Sequence, residues 1–499
     1  MNSTPFKANL TRLCFITSLE KFTFHGIRFL LVLSMTKMFA LDGAATCLIY
    51  GGFMALTFCT PLLSGWMIDN FLSNRLVSLW GGLLAIGGCL LLTFNSLALF
   101  YLGLGFIIVS GGMLRATIPV LLSNLYRAKE DLKDSGFTLW YIACNLGACL
   151  AALVCGYVGE KIGWQYSFYL AAAAAGSLTA LLYFSRSLFP PKDLIPSAVG
   201  LSAKLCGAIS FMGMALLASI CLKEQHLIQW MLPLTAFSML SLIVFIYYKF
   251  KDHRWAIVKF IHLLLLHMLF MALYEQGASS FVLFIDALVN KTITTSFGQF
   301  DIPTTFFQAI DPAAGMVLGL SLTYLWFKLA HKNPSEYIKF AFGFLMTGIG
   351  FFLIAFLAKT YPFGKIPSFW MVLVFLFMVL GELFIIPIGM SYASSIKIGN
   401  LKNTFTGLWL LSVASGQWFA TLIAGTIHTT AGRGIAHSSV NNAHQYYKVY
   451  GYCFKAALVL GGMAIILYLL KKIPSLTGRH KSAAVPKSMA AKQNNVSGA

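Results

Sequence analysis

Over 499 residues the chain is 58% hydrophobic and only 10% charged, with a mean hydropathy of +0.77. Soluble domains carry roughly 25% charged residues, so a water-soluble enzyme is excluded. At about 20 apolar residues per membrane-spanning helix, spans take up the length and leave no room for a nucleotide-binding domain of about 150–200 residues. The net charge of +20 would suggest nucleic acid on a soluble protein. In a chain this apolar it marks the basic loops of one membrane face, and no nucleic-acid partner is expected.

The first apolar run begins at Leu13 and is interrupted by Glu20, Lys21 and Arg28, which no cleavable signal peptide tolerates. Hydropathy predicts fourteen spans, at 13–38, 43–68, 76–96, 98–124, 137–159, 164–185, 198–221, 228–248, 256–286, 304–328, 337–358, 368–395, 404–428 and 449–470. With both termini on one side, 23 Lys/Arg fall on that side and 8 opposite, leaving Lys21, Arg28, Arg115, Lys204 and Lys455 inside spans. The asymmetry places both termini in the cytoplasm of an inner-membrane protein and supports an even number of spans. Lys204 is expected to snorkel to the interface. The ten cysteines all lie in apolar runs, where thiols behave as small hydrophobes, so neither disulfides nor a metal site is expected.

Laid without a gap over Leu408–Gly425, the segment Leu139–Gly156 matches at Leu139, Trp140, Gly147, Ala151, Leu153 and Gly156, at a constant offset of 269. The matches favour small residues, as close helix contact in lipid requires. The fifth and thirteenth spans then read as copies, and the chain as six spans, two inserted, and six more. Parallel six-span repeats mark major-facilitator transporters. The predicted fold is an all-α membrane protein of two six-helix bundles, 1–190 and 255–472, separated by a two-helix insert, 191–254. The polar stretch 473–499 has the composition of a disordered cytoplasmic tail.

Six ionisable residues lie where lipid would reject them: Glu20, Lys21, Arg28, Arg115, Glu275 and Glu382; Asp311 opens a span. Each unpaired charge at mid-bilayer costs roughly 3 kcal/mol on insertion scales, so they must face a watery cavity or one another. Glu20, Phe24 and Arg28 recur every fourth residue and share one face of the first helix. Shifted by the repeat offset, Arg115 falls within one turn of Glu382, so the fourth span and its copy each present one charge, of opposite sign. Arg28–Glu275 and Arg115–Glu382 are expected as alternating gating pairs between the bundles. His262 and His267 read as core or interface histidines. No clustered nucleophile and base accompany these charges, so no enzymatic site and no cofactor are expected.

The same residues resemble the proton-dependent oligopeptide transporter family. Its first-helix signature, E-x-x-E-R-F-x-Y-Y-G followed by an arginine, is similar to Thr17-Ser18-Leu19-Glu20-Lys21-Phe22-Thr23-Phe24-His25-Gly26-Ile27-Arg28. Gly65 to Asp69 with Arg75 resembles the superfamily's loop motif, and Gly112 to Arg115 stands where the family has a lysine. Gly136 to Gly147 resembles the fifth-helix motif, and Tyr274-Glu275-Gln276, Phe307 to Pro312 and Gly381 to Gly389 resemble the second half. The likeness runs over residues 16–425.

The resemblance implies a multi-pass symporter that carries small peptides with protons, alone in the bilayer as a monomer. It implies that Arg28, Arg115, Asn145, Glu275 and Glu382 line the peptide site, the two cations taking the carboxylate and Glu382 with Asn145 the amino end. Glu20, Lys21 and Glu275 would serve proton coupling. Thr17 replaces the family's first carboxylate, and Phe24 and Phe58 stand at tyrosine positions of the substrate site. Asp311, also in that site, replaces an asparagine. These departures leave open another small zwitterionic or anionic solute, weakened proton coupling, or a nutrient sensor that binds without transporting.

Overall fold

Helices account for nearly all of the computed structural model, which describes residues 3–126, 133–190, 200–295, 298–329, 334–396, 398, 402–429 and 439–471. In chain order they are α1 (Ser3–Phe39), α2 (Gly43–Asn70), α3 (Asn74–Leu92), α4 (Leu97–Leu125), α5 (Lys133–Lys161), α6 (Trp164–Phe184), α7 (Leu201–Lys223), α8 (Gln225–Lys249), α9 (Arg254–Tyr274), α10 (Ser280–Leu288), α11 (Ile310–Leu329), α12 (Glu336–Thr360), α13 (Phe369–Ser395), α14 (Lys402–Thr429) and α15 (Ser439–Lys471). Among the described residues thirteen segments are long and apolar enough to cross a membrane. The charged α1 supplies the fourteenth, so the predicted span count and all-α class match the structure. The predicted tail 473–499 and the start of the insert, 191–199, lie outside the described residues.

The ninth predicted span, 256–286, is not one helix. It breaks into α9, a 3-10 turn at Glu275–Ala278, and α10. Side chains satisfy the backbone groups that the break frees, as an interruption at membrane depth requires. Gln276 donates to the Ala272 and Ala420 carbonyls at 3.1 and 3.0 Å, and Gln308 donates to the Gly277 carbonyl at 3.0 Å. Ser279 donates to the Glu275 carbonyl at 2.8 Å, and Ser280 to Gln276 Oε1 at 2.7 Å. The tenth span likewise opens with a 3-10 turn, Thr304–Ala309, before α11.

The repeat seen in the sequence has a packing counterpart. A Cβ on Gly147 of α5 would collide with the Ser18 carbonyl of α1; one on Gly416 of α14 would collide with Met271 and the Met268 carbonyl of α9. Each repeated glycine thus lets its helix touch the backbone of the first helix of its own half. Gly147→Ala is expected to lower the melting temperature in detergent, since overpacking a close contact costs about 1–3 kcal/mol; an unchanged melting temperature would show that the contact relaxes freely.

The insert helices flank both halves. Gly105 of α4 lies against Ala215 and Ser219 of α7, and Gly52 of α2 against Ile228 of α8. Ser415 of α14 faces Met239 of α8. The outward faces, with Leu201, Ile209, Trp230 and Phe237 exposed, are the apolar bulk expected toward lipid. Between the halves, α2 meets α14 where Gly51 lies against Gln417 and Thr421, and α5 meets the Thr304–Ala309 turn where Gly156 lies against Thr305.

Four short strands, absent from the sequence reading because none exceeds four residues, cap the face opposite the termini. β1 (Val289–Asn290) pairs in parallel with β4 (Ile366–Pro367), and β2 (Thr292–Thr295) pairs antiparallel with β3 (Gly298–Asp301).

Candidate functional site

The charged face of α1 runs through the centre of the molecule. At its terminal-side end Glu20, 4% exposed, pairs with its neighbour Lys21 at 2.8 Å. Two turns along, Arg28 meets the broken span. Its Nη2 donates to both carboxylate oxygens of Glu275 at 3.0 and 3.2 Å, and its Nε donates to the Tyr50 hydroxyl at 3.0 Å. Tyr50 in turn donates to Glu275 Oε2 at 2.9 Å. The helix break places Glu275 in this position, because its side chain leaves a 3-10 turn rather than an α-helical face. Tyr50 closes the triangle and carries no signal in the sequence beyond being a polar group in an apolar span.

Arg115 on α4 has a different environment. Its guanidinium lies over the Phe24 ring at 4.2 Å and the Phe58 ring at 5.3 Å, and donates to the Thr57 carbonyl at 3.4 Å. Desolvated cation–π contacts are worth about 2 kcal/mol. Phe24 and Phe58 therefore hold the cation through their aromatic faces alone. The expected Arg115–Glu382 contact is not formed: among the described residues Arg115 has no carboxylate within ion-pair distance.

Glu382 belongs to another group. The Tyr274 hydroxyl lies 2.6 Å from Glu382 Oε2 and 2.6 Å from Asp311 Oδ2, tying α13, α9 and α11 together. Asn145 on α5 is partly exposed and turns its amide nitrogen to the Tyr141 carbonyl at 3.0 Å. A cavity of about 260 Å³ collects Arg28, Phe58, Asn145, Glu275, Asp311 and Glu382, together with His25, Tyr274, His267 and Trp409. His267 is fully buried, stacks on Trp409 with centroids 3.9 Å apart, and has Nδ1 2.7 Å from the Ser412 hydroxyl. Among the described residues its Nε2 has no hydrogen-bond partner. Of the predicted site residues, Phe24, Arg115, Glu20 and Lys21 stand outside the lining of this cavity, Arg115 lying behind Phe58. Asp69 and Arg75 sit far from it, at the end of α2 and the start of α3; Asp69 is exposed and Arg75 lies over the Tyr183 ring at 5.8 Å.

Beyond Arg28, toward the face opposite the termini, polar ties cross from the first half to the second. Lys37 pairs with Asp286 at 2.7 Å, and Asp286 also pairs with Lys291 at 2.7 Å. Lys161 reaches Asp301 at 3.7 Å. Glu160 accepts from the Thr304 and Thr305 amides at 2.7 and 2.8 Å and from the Thr305 hydroxyl at 2.8 Å. A larger crevice of about 500 Å³ opens among these ties, lined by Glu160, Lys161, Lys291 and Asp301. It lies in the loop layer, away from the intramembrane charges, so the smaller central cavity is the candidate site.

Fourteen spans built on a repeated six-helix unit, folded around a buried and charged cavity, are the architecture of a major-facilitator transporter. The chain belongs to the POT family, whose sequence model matches residues 74–441. Similar curated proteins include the peptide transporter YePEPT of Yersinia enterocolitica, 28% identical over 82% of this chain and 85% of the relative. They also include the dipeptide and tripeptide permease A of Serratia proteamaculans, 27% identical over 90% and 88%. The uncharacterized transporter YclF of Bacillus subtilis is 25% identical over 81% and 85%. Among solved structures, a peptide transporter POT variant in complex with alafosfalin superposes with a TM-score of 0.81 at 22% identity, covering 94% of this chain and 98% of that one. Tetrameric PepTSo2 gives 0.81 at 21% identity, covering 93% and 98%.

Proposed function

We propose that the chain takes up di- and tripeptides together with protons by alternating access, with bundles 1–190 and 255–472 as the moving halves, 191–254 as an inserted pair, and both termini in the cytoplasm at the inner membrane. The observation that carries this reading is the division of charge at the cavity. Among the described residues Arg115, behind the Phe58 wall, is a cation without a carboxylate in ion-pair distance, whereas Asp311 and Glu382 form an acidic pair on the opposite half. A zwitterion lying across the cavity would set its carboxylate toward Arg28 in the wall and toward Arg115, which the Phe58 ring has to uncover, and its ammonium toward Glu382 and Asp311, beside Asn145. The names of the Yersinia and Serratia relatives point to the same substrate class.

Arg28–Glu275 and the ties around Glu160 and Asp286 are the contacts closed in this state, while Arg115 and Glu382 stand apart, as alternation of two gates requires. Glu275, with Glu20 beside Lys21, would hold the transported proton. Desolvation favours the protonated carboxyl and a neighbouring arginine the ionised one, so a glutamate that alternately meets and loses Arg28 can release and take up a proton. The residues lining the cavity all come from one chain, which supports the monomer as the transporting unit. The test is uptake of labelled dipeptides into proteoliposomes under an imposed pH gradient. Accumulation that collapses with the gradient is expected; peptide binding with no flux would identify a sensor, and flux of other anions or zwitterions in place of peptides would move the substrate class.

A further inference from the structure

The Tyr274 hydroxyl carries one proton, yet it stands 2.6 Å from oxygens of two different carboxyl groups, Asp311 Oδ2 and Glu382 Oε2. Oxygens approach to about 2.5–3.0 Å only with a proton between them. The phenol can donate to one carboxyl; the other contact needs a proton of its own, donated from that carboxyl to the phenol oxygen. The two carboxylate oxygens are also at most about 5 Å apart, and like charges so placed in a desolvated site do not both ionise.

The surrounding charges lead to the same count. Toward the pair face Arg28 from α1, already held by Glu275 and Tyr50, then Tyr141 and Asn145 from α5 and Glu275 itself from the 3-10 turn. His25 from α1 and His267 from α9 line the same cavity. Among the described residues no lysine or arginine is within ion-pair distance of Asp311 or Glu382. The intramembrane site as a whole sets three cations, Lys21, Arg28 and Arg115, against four acids, Glu20, Glu275, Asp311 and Glu382. One proton brings it to neutrality.

We propose that Asp311 and Glu382 share one proton through Tyr274, forming a carboxyl dyad that gives this chain a second intramembrane proton-holding site in place of the carboxylate missing at Thr17. The proton comes from water and resides on one carboxyl, with the phenol donating to the other; no bond between heavy atoms is made or broken. The dyad deepens the transporter reading and rests on it only for the use to which the proton is put.

The test is infrared spectroscopy of the purified full-length protein, without substrate or gradient, so that it stands whether or not peptides are the cargo. At neutral pH the parent should show a protonated-carboxyl stretching band that shifts in heavy water and disappears on alkaline titration. Asp311→Asn and Glu382→Gln should each abolish the band, because either leaves a single carboxylate facing the phenol donor. Asp311→Glu should restore it, and Glu275→Gln should leave it in place. Asp311→Asn keeps the size and shape of the side chain and one oxygen acceptor for the Tyr274 hydroxyl. Absence of the band in the parent, or its persistence in Asp311→Asn, would overturn the proposal; loss of the band in Glu275→Gln would move the proton to Glu275.

Discussion

Replacing Glu275 with glutamine is expected to abolish pH-driven accumulation of peptide while leaving exchange of peptide across the membrane. The substitution preserves the shape of the side chain and one acceptor for Arg28, but removes the negative charge and the exchangeable proton. Cotransport of one proton with each peptide sets an accumulation limit of about tenfold per pH unit of gradient, and the variant should fall to no accumulation at all. Counterflow of labelled for unlabelled peptide needs only the gates to move with substrate bound, so it should survive. The proposed mechanism rests on the triangle of Arg28, Tyr50 and Glu275: a substrate carboxylate that competes for Arg28 would leave Glu275 without its cation, held by Tyr50. Should the variant still concentrate peptide, Glu275 is not the obligatory carrier. Should the parent ignore the gradient, the threonine at position 17 has uncoupled the chain and facilitated diffusion is the better description.

Arg115→Gln is expected to weaken free dipeptides about ten- to hundredfold, since hydrogen bonds to charged groups contribute about 1.5–3 kcal/mol, and to affect C-terminally amidated dipeptides far less. Arg115 is suited to this role because its present partners are the faces of Phe24 and Phe58 and one backbone carbonyl. None of these neutralises its charge, so the positive potential becomes available to a ligand once the Phe58 ring, which separates it from the cavity, turns aside. Equal losses for free and amidated peptides, measured by equilibrium binding, would assign Arg115 to packing alone.

The spans, their number and the repeat were legible because each rests on a strong one-dimensional signal: about 20 apolar residues, basic loops, and glycines at a fixed offset. Gly147 and Gly416 show why the last signal works. Each marks a backbone-to-backbone approach that only a hydrogen in place of a side chain allows. Intramembrane charges were equally visible, because lipid forbids them without a partner. Their partners were less so. Arg28–Glu275 joins two residues that hydropathy alone marks as costly, but Tyr50 and Tyr274, which organise both acidic groups, look like ordinary aromatic residues of apolar spans. The break at Glu275 was hidden for a related reason. Hydropathy averages over a turn and reads 256–286 as continuous, whereas the interruption is written in the hydrogen-bonding side chains of Gln276, Ser279 and Ser280. Asp286 and Glu160 fell at span ends, where a carboxylate is ordinary, and only the folded chain shows them reaching across to the other half.

Glu160 differs from the other ties in the kind of group it holds. Lys37 and Asp286 are two side chains, so the pair depends on the identity of both residues. Glu160 grips two backbone amides and a hydroxyl at the start of the Thr304–Ala309 turn, and no substitution elsewhere can rewrite an amide. Two of its three contacts therefore do not depend on which side chains stand at 304 and 305, provided neither is proline. Removing the carboxylate at 160 would thus free two amides at once, whereas removing Asp286 would free only side chains, although both join the same two halves.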